Sequence, residues 1–397
     1  MANNLLTNDI ILRTALMEFT NNLVFAKTAR RTYQDKFDPT TGGTIRIRKP
    51  TRYEARTGDN ISVQPINEQY TQITVGDMQG VDVEVTSREL ALQLDDFNRE
   101  ILNPAMVTLA NKIDSLLYAS AIRVSNFVGT AGTPPNSFAV ANQANALLNS
   151  FGIPQDKNRF MLLKSFDAAA LQNALYNTFN ENFNKEIILQ GSMGNLASFD
   201  CYSVQNVTRP AVGTVTASLG APAIFGANQS GTSLVLDGMN NGDTIKTGRV
   251  FTIAGVNSLN PTSREDTGQL AQFVVMADAT VAGGGVTLTI NINDQGITLT
   301  GPYRNVTNAP ADNALVTFQD IHNINLAYHQ EAFALVTIKL PEGADGAYQR
   351  NMMDPKAKIN IRMTRQYQIG NDKNVIRFDV LPAVKCFEQY ATRVMGS

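Results

Sequence analysis

The chain has 397 residues, room for two or three domains with cores of their own, and a formal charge of −2 from 33 basic and 35 acidic residues. That balance argues against tight, sequence-independent binding to nucleic acid, which needs a basic face. The two cysteines, Cys201 and Cys386, lie too far apart in sequence for a disulfide framework or a zinc site, and no run approaches the ~18 consecutive apolar residues of a membrane span. With no charged n-region leading into an apolar h-region, the chain is expected to be made in the cytosol.

The first predicted element is an amphipathic helix. Thr7, Asn8 or Asp9 can cap it, and Ile10, Ile11, Ala15, Leu16, Phe19, Leu23 and Val24 recur at three and four. Asp9, Arg13 and Glu18 fall away from that stripe and are expected to be exposed. The turn residues 38–43 end this arm. In Thr44-Ile45-Arg46-Ile47-Arg48-Lys49-Pro50, apolar and basic residues alternate with the period of two of a strand with one covered face, and Pro50 stops it. Residues 52–70 are polar, hold Gly58, Asp59, Asn60 and Pro65, and read as a projecting loop. Val81, Val83 and Val85 then alternate with Asp82 and Glu84, so a second strand offers an acidic face where the first offers a basic one, and the two are suited to pair in one long hairpin. Either these charges pair within the chain as an ordinary solvated hairpin, or they meet another subunit.

A long helix follows. Leu90, Leu94, Phe97 and Ile101 set its period, Pro104 marks a first helical position or a kink, and Leu109, Ile113, Leu116, Leu117 and Ile122 carry it to about residue 125. Its latter part alone would span roughly 30 Å at about 1.5 Å per residue. Residues 129–137 form a Gly/Pro/Thr linker. Beyond it come a helix over 138–151 stopped by Gly152 and Pro154, a short strand over 159–163 and a helix over 166–176, an α/β or α+β arrangement. From about residue 211 the composition shifts to Gly, Thr, Val and Asn, and short strands at 234–236, 250–253, 272–275 and 286–290 are separated by turns at 240–243 and 283–285, the signature of a small barrel or sandwich. Mixed character returns after about Phe318, so the β-rich stretch reads as an insertion. Strands at 358–363 and 375–380 flank a turn at 369–372 and close the chain.

Residues that carry chemistry are sparse. There is no HExxH, GxSxG, Walker A or GxGxxG pattern, and the two histidines, His322 and His329, stand in strand-like contexts that favour a structural role over metal binding or catalysis. Gly283-Gly284-Gly285 lacks the Lys-Ser/Thr of a phosphate cradle and reads as a hairpin turn. Asp95, Asp96 and Glu100 read as the solvated face of the long helix. No catalytic residue, cofactor or metal site is expected. Without Trp, the β-rich stretch also offers no aromatic platform for carbohydrate.

Several runs together resemble a known family: residues 27–33, Gly43-Thr44-Ile45-Arg46-Ile47-Arg48-Lys49-Pro50, Leu102-Asn103-Pro104-Ala105-Met106, the stretches 194–202 and 248–257, Thr267-Gly268-Gln269-Leu270 and Asn325-Leu326-Ala327-Tyr328-His329. In this order, over almost the whole chain, they resemble the coat proteins of short-tailed bacteriophages, in the Salmonella phage P-22 coat protein class. The resemblance implies an α+β, Hong Kong 97-like capsid fold with an N-terminal arm at 1–43, an extended loop with its strands at 44–86, and a spine helix of the peripheral domain at 87–128. An axial domain at 129–212 and 313–340, a β-barrel insertion at 213–312, shorter than in the type member, and closing peripheral strands at 341–397 complete the implied map. It further implies a major capsid protein that polymerises as hexamers and pentamers around a scaffolding protein, with a portal protein at one vertex, into an icosahedral procapsid that expands as double-stranded DNA is packaged. The virion is the implied location, after assembly in the host bacterial cytoplasm. Within that scheme Arg46, Arg48, Asp82 and Glu84 are candidate subunit-interface residues, and Asp9 and Glu18 candidate contacts for the scaffolding protein. The rival readings are a tail or decoration component, which would form rings, tubes or surface attachments, and an α/β enzyme with a barrel accessory domain.

Overall fold

The computed structural model describes residues 8–36, 43–53, 55–56, 58–61, 63–64, 66, 68–86, 98–176, 194–216, 221–282, 288–293, 296–341, 347–355 and 357–397. Leu90, Leu94, Phe97, Asp95, Asp96 and Gly283-Gly284-Gly285 lie outside them, as does the 87–97 part of the expected spine. The chain divides into two compact units. The first holds residues up to Arg48, Tyr70–Ser120 and Phe333–Lys385, and the second holds Lys49–Gln69, Ala121–Ala332 and Cys386–Ser397.

In the first unit, helix α1 (Asn8–Asn22) buries Ile11, Leu12, Ala15, Leu16 and Phe19, the expected stripe except that Ile10 turns outward and Leu12 inward. A four-residue helix, α2 (Phe25–Thr28), follows. Strand β1 (Thr44–Arg48) points Ile45 and Ile47 to the interior and Arg46 and Arg48 to solvent, as the alternation requires. Its partner is β2 (Tyr70–Thr74), with Arg46 opposite Gln72 and Arg48 opposite Tyr70. The acidic strand β3 (Gln79–Thr86) therefore does not pair with β1. A strand was hidden at the end of the polar loop: Thr71 and Ile73 face inward between exposed Gln72 and Thr74, the same period of two with less apolar contrast.

The long helix opens with a π-helical turn, Asn98–Leu102, and runs on as α3 (Asn103–Ser120). Pro104 lies in the first turn of α3, immediately after the π turn, which is where a residue without an N–H is tolerated and where helices widen locally. Met106, Leu109, Ala110, Ile113 and Leu117 form its buried face.

In the second unit, β4 (Phe127–Val128) leads to α4 (Phe138–Ser150). The Ser137 side chain caps α4 by accepting from the Ala139 N–H at 3.1 Å. Its other end is closed by Gly152 at a left-handed φ of 74°, with Gly152 N–H to Asn149 O and Ile153 N–H to Leu148 O, a Schellman arrangement with Leu148 and Ile153 both buried. Strand β5 (Arg159–Lys164), helix α5 (Ser165–Tyr176), β6 (Asn195–Leu196) and β7 (Phe199–Val204) follow, and because β5 and β7 are parallel the chain must cross over between them, starting with α5.

The inserted strands are β8 (Ala223–Ile224), β9 (Ser233–Asp237), β10 (Thr244–Ile245), β11 (Val250–Leu259), β12 (Asp266–Val274), β13 (Ala279–Thr280), β14 (Leu288–Asn291) and β15 (Val316–Phe318). They form the sheets β12-β11-β15, β14-β9-β8 and β10-β13 around one apolar cluster that includes Leu234, Leu236, Phe251, Ile253, Phe273, Val275 and Ile290. Strand β15 lies past residue 312 and pairs with β11, so the strand-rich segment runs on to Phe318.

The remaining strands depart from the expected order. Strand β16 (Ile324–His329) lies in the centre of a six-stranded sheet, β4-β21-β16-β5-β7-β6, beside β21 (Ala391–Met395), a strand expected among the closing peripheral ones. Strand β17 (Phe333–Ile338), expected to return with β16, instead joins the first unit's sheet β17-β20-β19-β18, with β18 at Tyr348–Met353, β19 at Asn360–Gln368 and β20 at Lys373–Cys386. Strands β16 and β17 are two apolar runs with only Gln330–Ala332 between them, so periodicity could not show that they enter different sheets. Strand β3 pairs with β20 over its whole length, Asp82 opposite Arg377 and Glu84 opposite Val375.

Candidate assembly surfaces

Charged residues in the first unit fall into two groups, those held by partners within the chain and those turned to solvent. On β3, Asp82 lies 3.7 Å from the Arg377 guanidinium, and Glu84 pairs with Lys373. Arg377 donates in turn to Asp379 at 2.6 Å, and the fully buried Asp379 also receives Arg362 at 2.7 Å. The hydrogen bond to Asp379 raises the Arg377 pKa further, with the charges of Asp379 and Asp82 adding to it. Gly80 stands opposite Asp379, and a Cβ there would come within 2.8 Å of its carboxylate, so glycine is required for the two strands to close over the buried charge. The acidic face of β3 is thus bound to β20, while Asp82 and Glu84 keep a solvent-exposed side.

The basic face of β1 has a different setting. Arg46 lies over the Tyr70 ring at 5.1 Å, a cation–π contact on an exposed face, and Arg48 is exposed beside it. The structure does not bring Arg46 and Arg48 together with Asp82 and Glu84, because β1 and β3 have different partners.

On the arm, Asp9 is half-buried, not exposed. It accepts from Arg350 Nη1 at 2.8 Å and from the Tyr348 hydroxyl at 2.7 Å. Glu18 is likewise half-buried, and its backbone carbonyl accepts from the Asn22 side chain. The strongest anchor of the arm is a residue the sequence did not single out. Asp114 on α3 is buried and accepts the N–H groups of Val24 at 2.9 Å, Phe25 at 3.3 Å and Ala26 at 2.9 Å, the orphan donors at the start of α2. Burial raises the Asp114 pKa, opposed by those three backbone bonds and by Arg31, whose own value burial lowers to about 10. The available signal was a lone carboxylate on the apolar face of a helix, between Ala110, Ile113 and Leu117.

Exposed apolar side chains mark a second kind of surface. Ile61, Val63 and Ile66 in the segment Lys49–Gln69 are 84%, 87% and 70% exposed. In the first unit, Ile369 at the turn between β19 and β20 is 86% exposed. A single exposed isoleucine such as Ile369 is ordinary, but three apolar side chains exposed within six positions, Ile61, Val63 and Ile66, are suited to a partner.

His322 is buried, its Nδ1 meets the Asp320 carbonyl at 2.7 Å, and burial, with Arg393 and Arg209 nearby, pushes its pKa down to about 4. His329 lies 6% exposed on β16, 3.1 Å from Asp156. Burial pushes the Cys201 thiol up to about 12, away from the thiolate a nucleophile needs. Among the described residues no group of three or more His, Cys, Asp or Glu is placed to hold a metal ion, and no helix is long and apolar enough to cross a membrane.

The basic face of β1 and the exposed Ile61, Val63 and Ile66 suit a protein that acts by assembling with further chains. The P22 coat protein family, described as gene protein 5, matches residues 1–394, and the chain belongs to that family. Its role is that of a major capsid protein, forming the shell of a phage, and the family is one of structural proteins. Among solved structures, the chain is similar to one of Mycobacterium phage Che8, at 10% identity over 94% of this chain and 90% of that chain with a TM-score of 0.48. It is also similar to the capsid of the cyanophage P-SCSP1u, at 10% identity over 94% and 88% with a TM-score of 0.47. The CUS-3 coat protein I-domain matches 25% of this chain and 96% of its own length, at 24% identity and a TM-score of 0.19. No curated protein matches the chain.

Proposed function

We propose that copies of this chain polymerise as hexamers and pentamers around a scaffolding protein into an icosahedral procapsid, with a portal protein at one vertex, in the cytoplasm of the host bacterium. The shell then expands as double-stranded DNA enters, and the chain supplies no catalytic step. Family membership over residues 1–394 carries this reading. Each contact can be weak, because every subunit makes many. The mild negative charge suits an inner wall that does not trap the packaged duplex.

In this scheme residues 1–43 act as arm, 44–86 as extended loop and 87–128 as spine. Residues 129–212 act as axial domain together with β16 and β21, the insertion runs from 213 to Phe318, and β17 to β20 close the peripheral domain. Arg46 and Arg48 meet a neighbouring subunit. Asp82 and Glu84 contribute through the side left open by Arg377 and Lys373. Asp9 and Glu18 lie on the arm surface that receives the scaffolding protein, with Arg350 already engaging Asp9.

Co-expression with the scaffolding protein, gradient sedimentation and electron microscopy test the reading. Closed uniform shells are expected, and small soluble oligomers beside a folded scaffold would reject it. Arg46→Glu should lower shell yield while leaving the subunit folded. Unchanged yield and shell stability would remove Arg46 from the interface.

A further inference from the structure

The inserted barrel connects to the rest of the second unit through two irregular segments, around 205–212 on entry and 319–323 on exit. Two such strands of chain would by themselves make a hinge. Three side chains work against that. Arg249, buried at the start of β11, donates to both segments at once, from Nη1 to Val212 O at 3.3 Å and from Nε to Gln319 O at 3.1 Å, with its guanidinium 5.0 Å over the Phe318 ring. Backbone bonds from Lys246 N–H to Val212 O and from Gln319 N–H to Val250 O repeat the same tie.

Arg393, fully buried on β21, reaches from the six-stranded sheet to the barrel. It donates to Gly248 O at 2.8 Å and to Ile122 O at 2.6 Å. Gly248 has a left-handed φ of 89°, and a Cβ there would lie 2.2 Å from Ile122 Cγ1, so the barrel's turn is pressed directly onto that segment. Gln272 on β12 acts as a surrogate strand: its Oε1 accepts the Phe127 N–H at 2.7 Å and its Nε2 donates to Phe127 O at 2.9 Å. Both backbone groups of one β4 residue are thereby satisfied by a single side-chain amide from the barrel. Beneath these bonds Phe127 and Met395 of the sheet pack with Val250 and Val274 of the barrel in one apolar cluster.

We propose that Arg249, Gln272 and Arg393 are positioning residues that weld the inserted barrel to the six-stranded sheet, so that the two move as one body and the barrel's direction is fixed before the subunit meets another copy. Covalent continuity supplies none of this, since the connecting segments are irregular. The weld consists of side chains that bond backbone across the neck, together with the apolar cluster. A shell built from such subunits changes shape by moving barrel and sheet together.

Gln272→Met and Gln272→Glu test the weld. The side chain is half-buried, and the core of the barrel is kept by its neighbours Ala271 and Phe273, so both variants preserve the inside of the barrel. Hydrogen exchange on the free full-length chain should show segments 205–212 and 319–323 exchanging roughly tenfold faster in both. In Gln272→Met the Phe127 amide joins them and the cause is two lost hydrogen bonds; in Gln272→Glu it is the lost Nε2 donor and a carboxylate oxygen set against the Phe127 carbonyl. The paired amides of β9 and β14 should stay as protected as in the parent chain. In shells the variant barrels should spread over several directions where the parent shows one. Unchanged exchange at the neck in both variants would overturn the proposal, as would a single sharp barrel direction in both. Equal loss of protection in β9 and β14 would also overturn it, because the contacts would then hold the barrel's fold and not its direction. The exchange readout needs no shell, so failure of the parent chain to assemble would count against the capsid reading alone.

Discussion

At the centre of the inserted barrel the buried side chains are apolar, with Phe251 5.6 Å from Phe273 and 5.2 Å from Phe318, and the buried polar residues Asp243, Arg249, Ser258 and Asn293 sit at its turns, its neck and its strand ends. The first unit buries charge in its framework instead, Asp114 under α2 and Asp379 between β3, β19 and β20. The barrel can be closed by strands near one another in sequence, whose alternation alone carries the needed information. The first unit must join segments hundreds of residues apart, and there specific polar partners choose the pairing. A charge placed where only one neighbour can satisfy it selects against every other arrangement.

Substitutions should separate these two designs. The largest effect is expected from Asp379→Ala, which leaves the Arg362 and Arg377 guanidiniums without their shared carboxylate and should cost about 3–5 kcal/mol. Amide exchange in β19 and β20 reads it, and a loss below about 1 kcal/mol would show that the buried charge selects nothing. Phe251→Ala should cost about 3–5 kcal/mol as well, through a cavity between Phe273 and Phe318, but confined to barrel amides. If β19 and β20 lost protection equally, the two regions would not be independent designs.

A smaller effect follows from His322. Its folded-state pKa of about 4 lies below the 6.5 of the unfolded chain, so between those values the unfolded state binds more protons and stability falls as pH falls. The loss should approach about 3 kcal/mol by pH 4, and His322→Gln should flatten the urea midpoint against pH across that window. A parent chain with no slope there would refute the assignment. Glu84→Gln should change subunit stability by less than about 1 kcal/mol, since its pair with Lys373 is half-exposed.

The sequence carried the local information well. Helix α4, strand β5 and helix α5 fell within a residue or so of expectation because Ser137, Gly152 and Pro154 punctuate them. The strands β9, β11, β12 and β14 stood where β-branched runs met Gly and Asn turns. Pairing was a different matter. Strands β1 and β3 carry complementary charges and lie close in sequence, yet β1 takes β2 and β3 takes β20, because alternation fixes which face a strand buries and not which strand it meets. Family resemblance implied a domain order, and nothing in it placed β17 and β21 in their sheets. Of the candidate contacts, the exposed pair Arg46 and Arg48 was legible from alternation, but the partners of Asp9, Asp82 and Glu84 lie some 290 to 340 residues further along the chain, beyond the reach of any local pattern.

Gly80 shows what such distant pairing demands of a folding chain. Strands β3 and β20 can meet only after a very long loop has closed, and many offsets between two alternating strands would bury comparable apolar area. Shift β3 by two places, however, which keeps its valines on the covered face, and Met78 or Asp82 brings a Cβ to where Gly80 leaves room for the Asp379 carboxylate. The missing methyl acts as a proofreading notch: the sheet zips shut only when the one residue without a side chain has arrived opposite the charge.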